Sequence, residues 1–421
     1  MKPDISVLPN GLRVITQTMP HLETSSLGVW IGVGSRHETE AQHGLSHLLE
    51  HMAFKGTGQR SAQDIAEQIE AVGGDLNAAT SVETTAYYAR VLKGDEGLAL
   101  EILADILQNS SFASAELERE REVILQEIAA IEDSPEEIVY DLVNDAAYPG
   151  QAAGRPIIGT PESVKRLSAS DLRLFLATHY HPENMVIAGA GAVRHEPFLR
   201  HVEALFGGLS KRHAGMDAAA RYTGGIRFSP KPFEQSHLML GFEGPSYTQD
   251  VYIAAQVLSG LLGGGMSSRL FQEVREKRGL CYSIYSSAWG LRDSGMFAVH
   301  AATGVDMMDG LIDVVRAELA RVAADGVTAP EIVRSKAQLK AGLLMSLESS
   351  SSVAEQMARQ MLVHNRILSS EELVAKVDAV TEQQLRAFAM QLVTAKPSVA
   401  VAGAGRRSRD FAERAGRAQT H

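Results

Sequence analysis

His47 and His51 lie four positions apart, and Glu50 falls between them. On a helix, positions i, i+3 and i+4 share one face. Two imidazoles and a carboxylate therefore point the same way. Imidazoles at this spacing form a pincer for Zn²⁺, and the carboxylate can take a proton from a water that the metal activates. Such a site needs a third protein ligand and keeps one position open.

The stretch from Glu116 to Ile128 offers that ligand. It is charged throughout, lacks Gly and Pro, and reads as a helix. Leu117, Glu120, Val123, Ile124, Glu127 and Ile131 follow the spacing of a core-facing stripe. Two glutamates interrupt this stripe, and a buried carboxylate is costly unless it is paired or bound to a metal. Glu116, Glu118 and Glu122 read as a solvated face.

At this point the chain resembles the M16 peptidases, and within them the processing-peptidase branch. The order H-x-x-E-H is the inverse of the commoner zinc motif. Glu127 follows His51 by 76 positions, where that family places its third ligand. Asn10-Gly11-Leu12, Gly34-Ser35-Arg36, Ala53-Phe54-Lys55-Gly56-Thr57, Gly154–Thr160 and Ser267–Phe271 also look like this branch. The resemblance spans roughly residues 5–405. It implies that His47, His51 and Glu127 hold Zn²⁺ and that Glu50 is the general base. It gives Glu120 a catalytic position near the metal. Arg275 and Tyr282, in Arg275–Tyr282, match the family's arginine–tyrosine segment, which handles the substrate backbone and the oxyanion. Asn77, Ala78, Ala79 and Thr80 resemble the edge strand that binds peptides by strand addition. Substrates would be peptides or presequence-like extended segments admitted to a closed chamber, and the assembly a homodimer.

Composition sets bounds on this reading. At 421 residues the chain calls for two or more domains. Apolar content of 45% and charged content of 22% are those of a soluble globular protein. No run approaches the length of a membrane helix, and the start of the chain lacks a signal region. A cytoplasmic, bacterial protein without membrane insertion is expected. The single cysteine, Cys281, excludes an intrachain disulfide and reads as packing. A net charge of −11 argues against nucleic-acid binding and favours basic partners.

The chain reads as a degenerate duplication. Val186–Gly191 recurs as Ala400–Gly405, and each copy follows a helical segment. An offset near half the chain means two duplicated domains. Each half runs from strands into helices and back, which predicts an α+β fold with mostly antiparallel sheets flanked by helices. The resemblance implies two homologous α/β sandwich domains, a duplicated LuxS/MPP-like metallohydrolase fold. Expected boundaries are a zinc-binding domain at 1–207, a linker at 208–225, a second domain at 226–405 carrying Arg275 and Tyr282, and a basic, solvated or loosely helical tail at 406–421. The position matching Glu127 in the second half falls near Gly342, so only the first half carries metal chemistry. Two alternatives remain open: a non-catalytic assembly subunit of the core-protein type, and the catalytic half of an obligate heterodimer. Bound zinc with peptide cleavage separates the first from an enzyme.

Overall fold

Ten strands form two sheets in the computed structural model, which describes residues 2–211 and 218–417. The first sheet contains β1 (Asp4–Val7), β2 (Arg13–Thr18), β3 (Thr24–Ile31), β4 (Asp75–Thr80), β5 (Thr85–Leu92) and β6 (Met185–Gly191). Their order is β1-β2-β6-β3-β5-β4. Every neighbouring pair is antiparallel except β2 and β6, which run parallel from Arg13↔Val186 to Thr18↔Gly191.

Both faces of this sheet are covered. Leu27, Val29, Ile31, Tyr87, Ala89 and Val91 point into a core closed by helices that include Leu45–Ala53 and Glu96–Gln108. Ile15, Trp30, Val186, Ala188 and Ala190 point the other way, as strand alternation requires. The helix Ser350–His364 buries them with Val353, Ala354, Met357, Ala358 and Met361.

The second sheet contains β7 (Gly225–Glu243), β8 (Ser283–Gly290), β9 (Gly295–Thr303) and β10 (Ser398–Ala404), in the order β10-β7-β9-β8. β7 doubles back around β10. Residues 225–228 run parallel to β10 and residues 238–241 antiparallel to it. Pro230 and Pro232 lie between the two arms, and Pro232 faces Gly403 and Ala404 of β10 at an irregularity in the register. Counting the two arms separately gives 225–228, β10, 238–241, β9, β8, the same order as β2-β6-β3-β5-β4. The repeat seen in the sequence is thus a repeat of topology, with β6 and β10 as its matching strands.

Two compact units result, and neither is contiguous in sequence. The first comprises residues 1–128, 156–217 and 345–369; the second comprises 129–155, 218–344 and 370–421. The boundary expected at 207/208 is crossed by two helices. Ser350–His364 belongs to the first unit, and Pro135–Ala147 packs on β7 and β10 in the second. The apolar second face of each sheet explains the exchange, because each needs a helix to exclude water.

Residues 212–217 of the expected linker and 418–421 of the expected tail lie outside the described residues. The rest of the tail is folded more firmly than expected. Ser408–Ala415 is an α-helix that buries Phe411, Ala412 and Ala415, while Arg414 pairs with Asp309 and Asp313. Among the described residues, no helix is long and apolar enough to cross a membrane.

Candidate metal centre

His47, Glu50 and His51 lie on the helix Leu45–Ala53. Two residues fix its start. Gly44 has φ +90°, and a Cβ there would meet the Ile158 carbonyl oxygen at 2.9 Å, so only glycine fits. Glu38, itself buried, turns its carboxylate onto the first amides. Its Oε2 accepts from the Gly44 N–H at 2.8 Å and its Oε1 from the Ser46 N–H at 2.6 Å. Amides at a helix start lack partners within the helix, and a negative charge there suits the helix dipole. Leu45, Leu48, Leu49 and Met52 bury the opposite face in the core.

The third group comes from the helix Ser114–Glu132. Its buried stripe is Leu117, Glu120, Ile124 and Ile128, a slight rotation from the expected one, since Val123 is exposed. Glu127 sits at the margin of that stripe. Its Oε2 lies 3.6 Å from His51 Nε2 and 3.9 Å from His47 Nε2. Two ligand atoms ~2.1 Å from a tetrahedral metal are about 3.4 Å apart. The two Glu127 distances are close to this value, and one atom from each of the three side chains lies within 4.8 Å of the others. Among the described residues, this is the one group of three or more His, Cys, Asp or Glu side chains gathered in this way. Burial, and then the neighbouring His51, push the His47 pKa down to about 4. The His47 ring is therefore neutral near pH 7 and keeps a lone pair for a metal.

Glu120, expected in a catalytic position near the metal, lies behind His51. Its Oε2 accepts from His51 Nδ1–H at 3.0 Å, and its Oε1 pairs with Lys55 Nζ at 2.7 Å. With Nδ1 carrying the proton, His51 presents the lone pair on Nε2, the nitrogen that approaches Glu127. Burial disfavours the Glu120 anion, but the hydrogen bonds from Lys55 and His51 outweigh it and hold the carboxyl below its ordinary range. Glu120 is thus placed to orient the His51 ring. The sequence reading gave no role to Lys55 or Glu38. Lys55 follows His51 by four positions, a spacing that could have drawn attention to it; Glu38 had no such signal. Glu50 forms no hydrogen bond or ion pair among the described residues. Its charge is felt by the Tyr87, Tyr88 and Tyr180 phenols, each pushed up chiefly by burial.

Residues 13–161 match the family model described as insulinase (peptidase family M16), and residues 166–339 match the peptidase M16 inactive domain. An uncharacterized zinc protease of Streptomyces coelicolor is 40% identical over 94% of this chain and 89% of its own length. The chain belongs to peptidase family M16. Another M16 relative, an uncharacterized zinc protease of Bacillus subtilis, is 38% identical over 91% of this chain and 94% of its own. The M16 fold is shared with a protease from Helicobacter pylori, at TM-score 0.87 and 22% identity over 95% of this chain and 99% of that one. It is also shared with a structure described as the M16 inactive domain from Pseudomonas fluorescens, at TM-score 0.88 and 22% identity over 96% and 98% of the two chains.

In this M16 chain, Asn77, Ala78, Ala79 and Thr80 lie on β4, the outermost strand of the first sheet, which among the described residues pairs only with β5. Thr80 Oγ1 donates to the Ser46 carbonyl at 3.4 Å, tying the strand end to the helix that carries His47 and His51. Buried Arg36 pairs with Glu83 and pins the turn after β4. Arg275 and Tyr282 lie together in the second unit. The Arg275 guanidinium stands 4.7 Å from the Phe271 ring centre and 5.9 Å from that of Tyr282. Tyr282 is 73% exposed, so its hydroxyl is open to a ligand.

Proposed function

We propose that the protein is a zinc metalloendopeptidase in which His47, His51 and Glu127 hold Zn²⁺ and Glu50 is the general base. The observation that carries this reading is the approach of Glu127 Oε2 to His51 Nε2 at 3.6 Å and His47 Nε2 at 3.9 Å, beside Glu50 on the same helix. Two imidazoles and a carboxylate suit zinc, whereas calcium and magnesium prefer oxygen ligands alone. When bound, zinc polarises the scissile carbonyl and makes water a stronger acid. Glu50 takes the proton of the attacking water and passes it to the leaving amine. Glu120 and Lys55 hold His51 in its metal-binding tautomer.

The substrate in this reading is an extended peptide added to the free edge of β4, backbone to backbone. A net charge of −11 favours basic, presequence-like segments. Tyr282 is the donor to the carbonyl oxygen as it gains charge, and Arg275 holds a substrate carbonyl. The working form is a homodimer, and its compartment the cytoplasm.

The test is incubation of the purified protein with a peptide library, with and without a chelator, followed by product sequencing. One zinc per chain is expected, with cleavage lost to the chelator and restored by zinc. A protein that holds zinc and cleaves nothing is a non-catalytic assembly subunit; one that holds no zinc contradicts the reading altogether. Mixing Glu50→Gln and Tyr282→Phe proteins tests sites shared across a dimer. Activity recovered on subunit exchange supports them, and verified mixed dimers without recovery refute them.

A further inference from the structure

The strand β5 has a second face, opposite the core, that carries Ala86, Tyr88 and Arg90. Tyr88 stands directly across from Gly28 of β3. A Cβ at Gly28 would come 2.8 Å from Tyr88 Cβ and 3.0 Å from Trp30 Cη2. The bare glycine therefore lets the Trp30 indole lie down over the strand, beside Tyr88. The helix Ser350–His364 crosses the same face and packs Ala354 into the cluster with Trp30. Between this helix and the β4–β5 hairpin lies a cavity of about 320 Å³. Trp30, Ala86, Tyr88 and Ala354 line it, and Ala79 and Thr80 continue it to β4, the free edge of the sheet.

We propose that this cavity is a specificity pocket for one large apolar side chain, aromatic or branched aliphatic, of a peptide laid along β4. The inference rests on the peptidase reading above. Strand addition fixes the geometry. Alternate side chains of an added strand fall on the same face as Ala79 and Tyr88, so every second residue of the peptide is a candidate for the pocket. The volume is at the lower end of the ~300–1,000 Å³ of ligand sites, small for a whole organic ligand and ample for a bulky side chain. Two aromatic walls favour an apolar or aromatic guest.

Charge narrows the choice further. The charged side chains at the cavity are Arg90, Glu355 and Arg359, and Glu355 bonds Arg359 at 3.4 Å. The remaining positive charge disfavours lysine or arginine as the occupant. The pocket also adjoins the helix that carries Glu50. Thr80, at the rim of the cavity, donates from Oγ1 to the Ser46 carbonyl of that helix at 3.4 Å. The side chain taken up therefore belongs to a residue near the bond that is cut.

The experiment uses the zinc-loaded full chain and a peptide series in which each position flanking the cleaved bond carries Phe, Leu, Ala, Asp or Lys in turn. At one position, Phe or Leu should raise kcat/KM over Ala by about 10-fold or more, and Lys should not. Ala86→Phe fills the pocket and should bring the Phe-to-Ala ratio at that position close to one. Tyr88→Ala removes a wall and should also shrink the ratio, which keeps the test open if Ala86→Phe fails to fold. Zinc content and circular dichroism establish that each variant is folded. An unchanged ratio at every position in a folded variant that cleaves overturns the pocket and leaves the peptidase reading standing. A wild-type protein that binds zinc and cleaves no peptide overturns the peptidase reading, and the pocket with it.

Discussion

Replacing Glu120 by Gln keeps the shape of the side chain and removes its charge. His51 Nδ1–H, now 3.0 Å from Oε2, can still donate to an amide oxygen, but to a weaker acceptor. Lys55 Nζ, now 2.7 Å from Oε1, loses its counter-ion where its side chain is only 31% exposed. Both changes make His51 a poorer and less fixed ligand. Outer partners of this kind are worth about 10–100-fold in metal affinity, or about 1.4–2.7 kcal/mol. Zinc affinity measured by competition with a chromophoric chelator should fall by that amount while the fold is retained. Lys55→Met should produce a loss of similar direction, because it leaves Glu120 buried without its cation. In the Glu120→Gln background, Lys55→Met should add little, since Lys55 acts through Glu120. Zinc affinity within threefold of wild type in Glu120→Gln would refute the positioning role. Additive losses in the double variant would show that Lys55 acts by another route.

Glu127→Gln removes the charge of a direct ligand and should loosen zinc more than Glu120→Gln does. Metal analysis after dialysis against a mild chelator orders the two, and the reverse order would exchange their roles. Met357→Ala opens space between the helix Ser350–His364 and the first sheet, where Met357 is 4% exposed. The cost should be about 2–5 kcal/mol in denaturant titration, and a loss well under 1 kcal/mol would contradict the cover that this helix gives the sheet. Burial, and then His237, push the His300 pKa from its ordinary 6.5 to about 3. The unfolded chain therefore binds a proton that the folded protein refuses, so stability declines as pH drops from about 6.5 towards 3. His300→Gln should make the pH dependence of the denaturation midpoint shallower between about pH 7 and about pH 5; an equal slope in both proteins would remove His300 as its source.

The grouping of His47, His51 and Glu127 into a candidate metal site was legible in the sequence because its chemistry is written in local spacing. His47 and His51 share a helix face whatever the helix packs against. Glu127 was marked by its place near an apolar stripe and by resemblance. Spacing alone did not distinguish Glu127 from Glu120, since both lie on similar sides of one helix. Only packing shows that Glu120 backs His51 while Glu127 faces both Nε2 atoms. Glu38 was invisible because its task, capping the helix Leu45–Ala53, depends on how the chain folds back between residues 38 and 46. The duplication was read correctly from Val186–Gly191 and Ala400–Gly405. The exchange of helices was not, because an apolar stripe such as Ala354, Met357 and Met361 says that a helix is covered but not by which sheet. The long β7 with its bend was hidden for a related reason. Pro230 and Pro232 signal a break in the ladder, yet do not reveal that both arms flank β10.

The central claim is that Glu50 does chemistry at a metal held by His47, His51 and Glu127. Its most direct test measures zinc content and turnover together in Glu50→Gln. All three ligands remain in this variant, so about one zinc per chain should be retained. Loss of the base should cut kcat by at least ~10²–10⁴-fold. A Glu50→Gln protein with full zinc and more than a tenth of wild-type kcat would contradict the account.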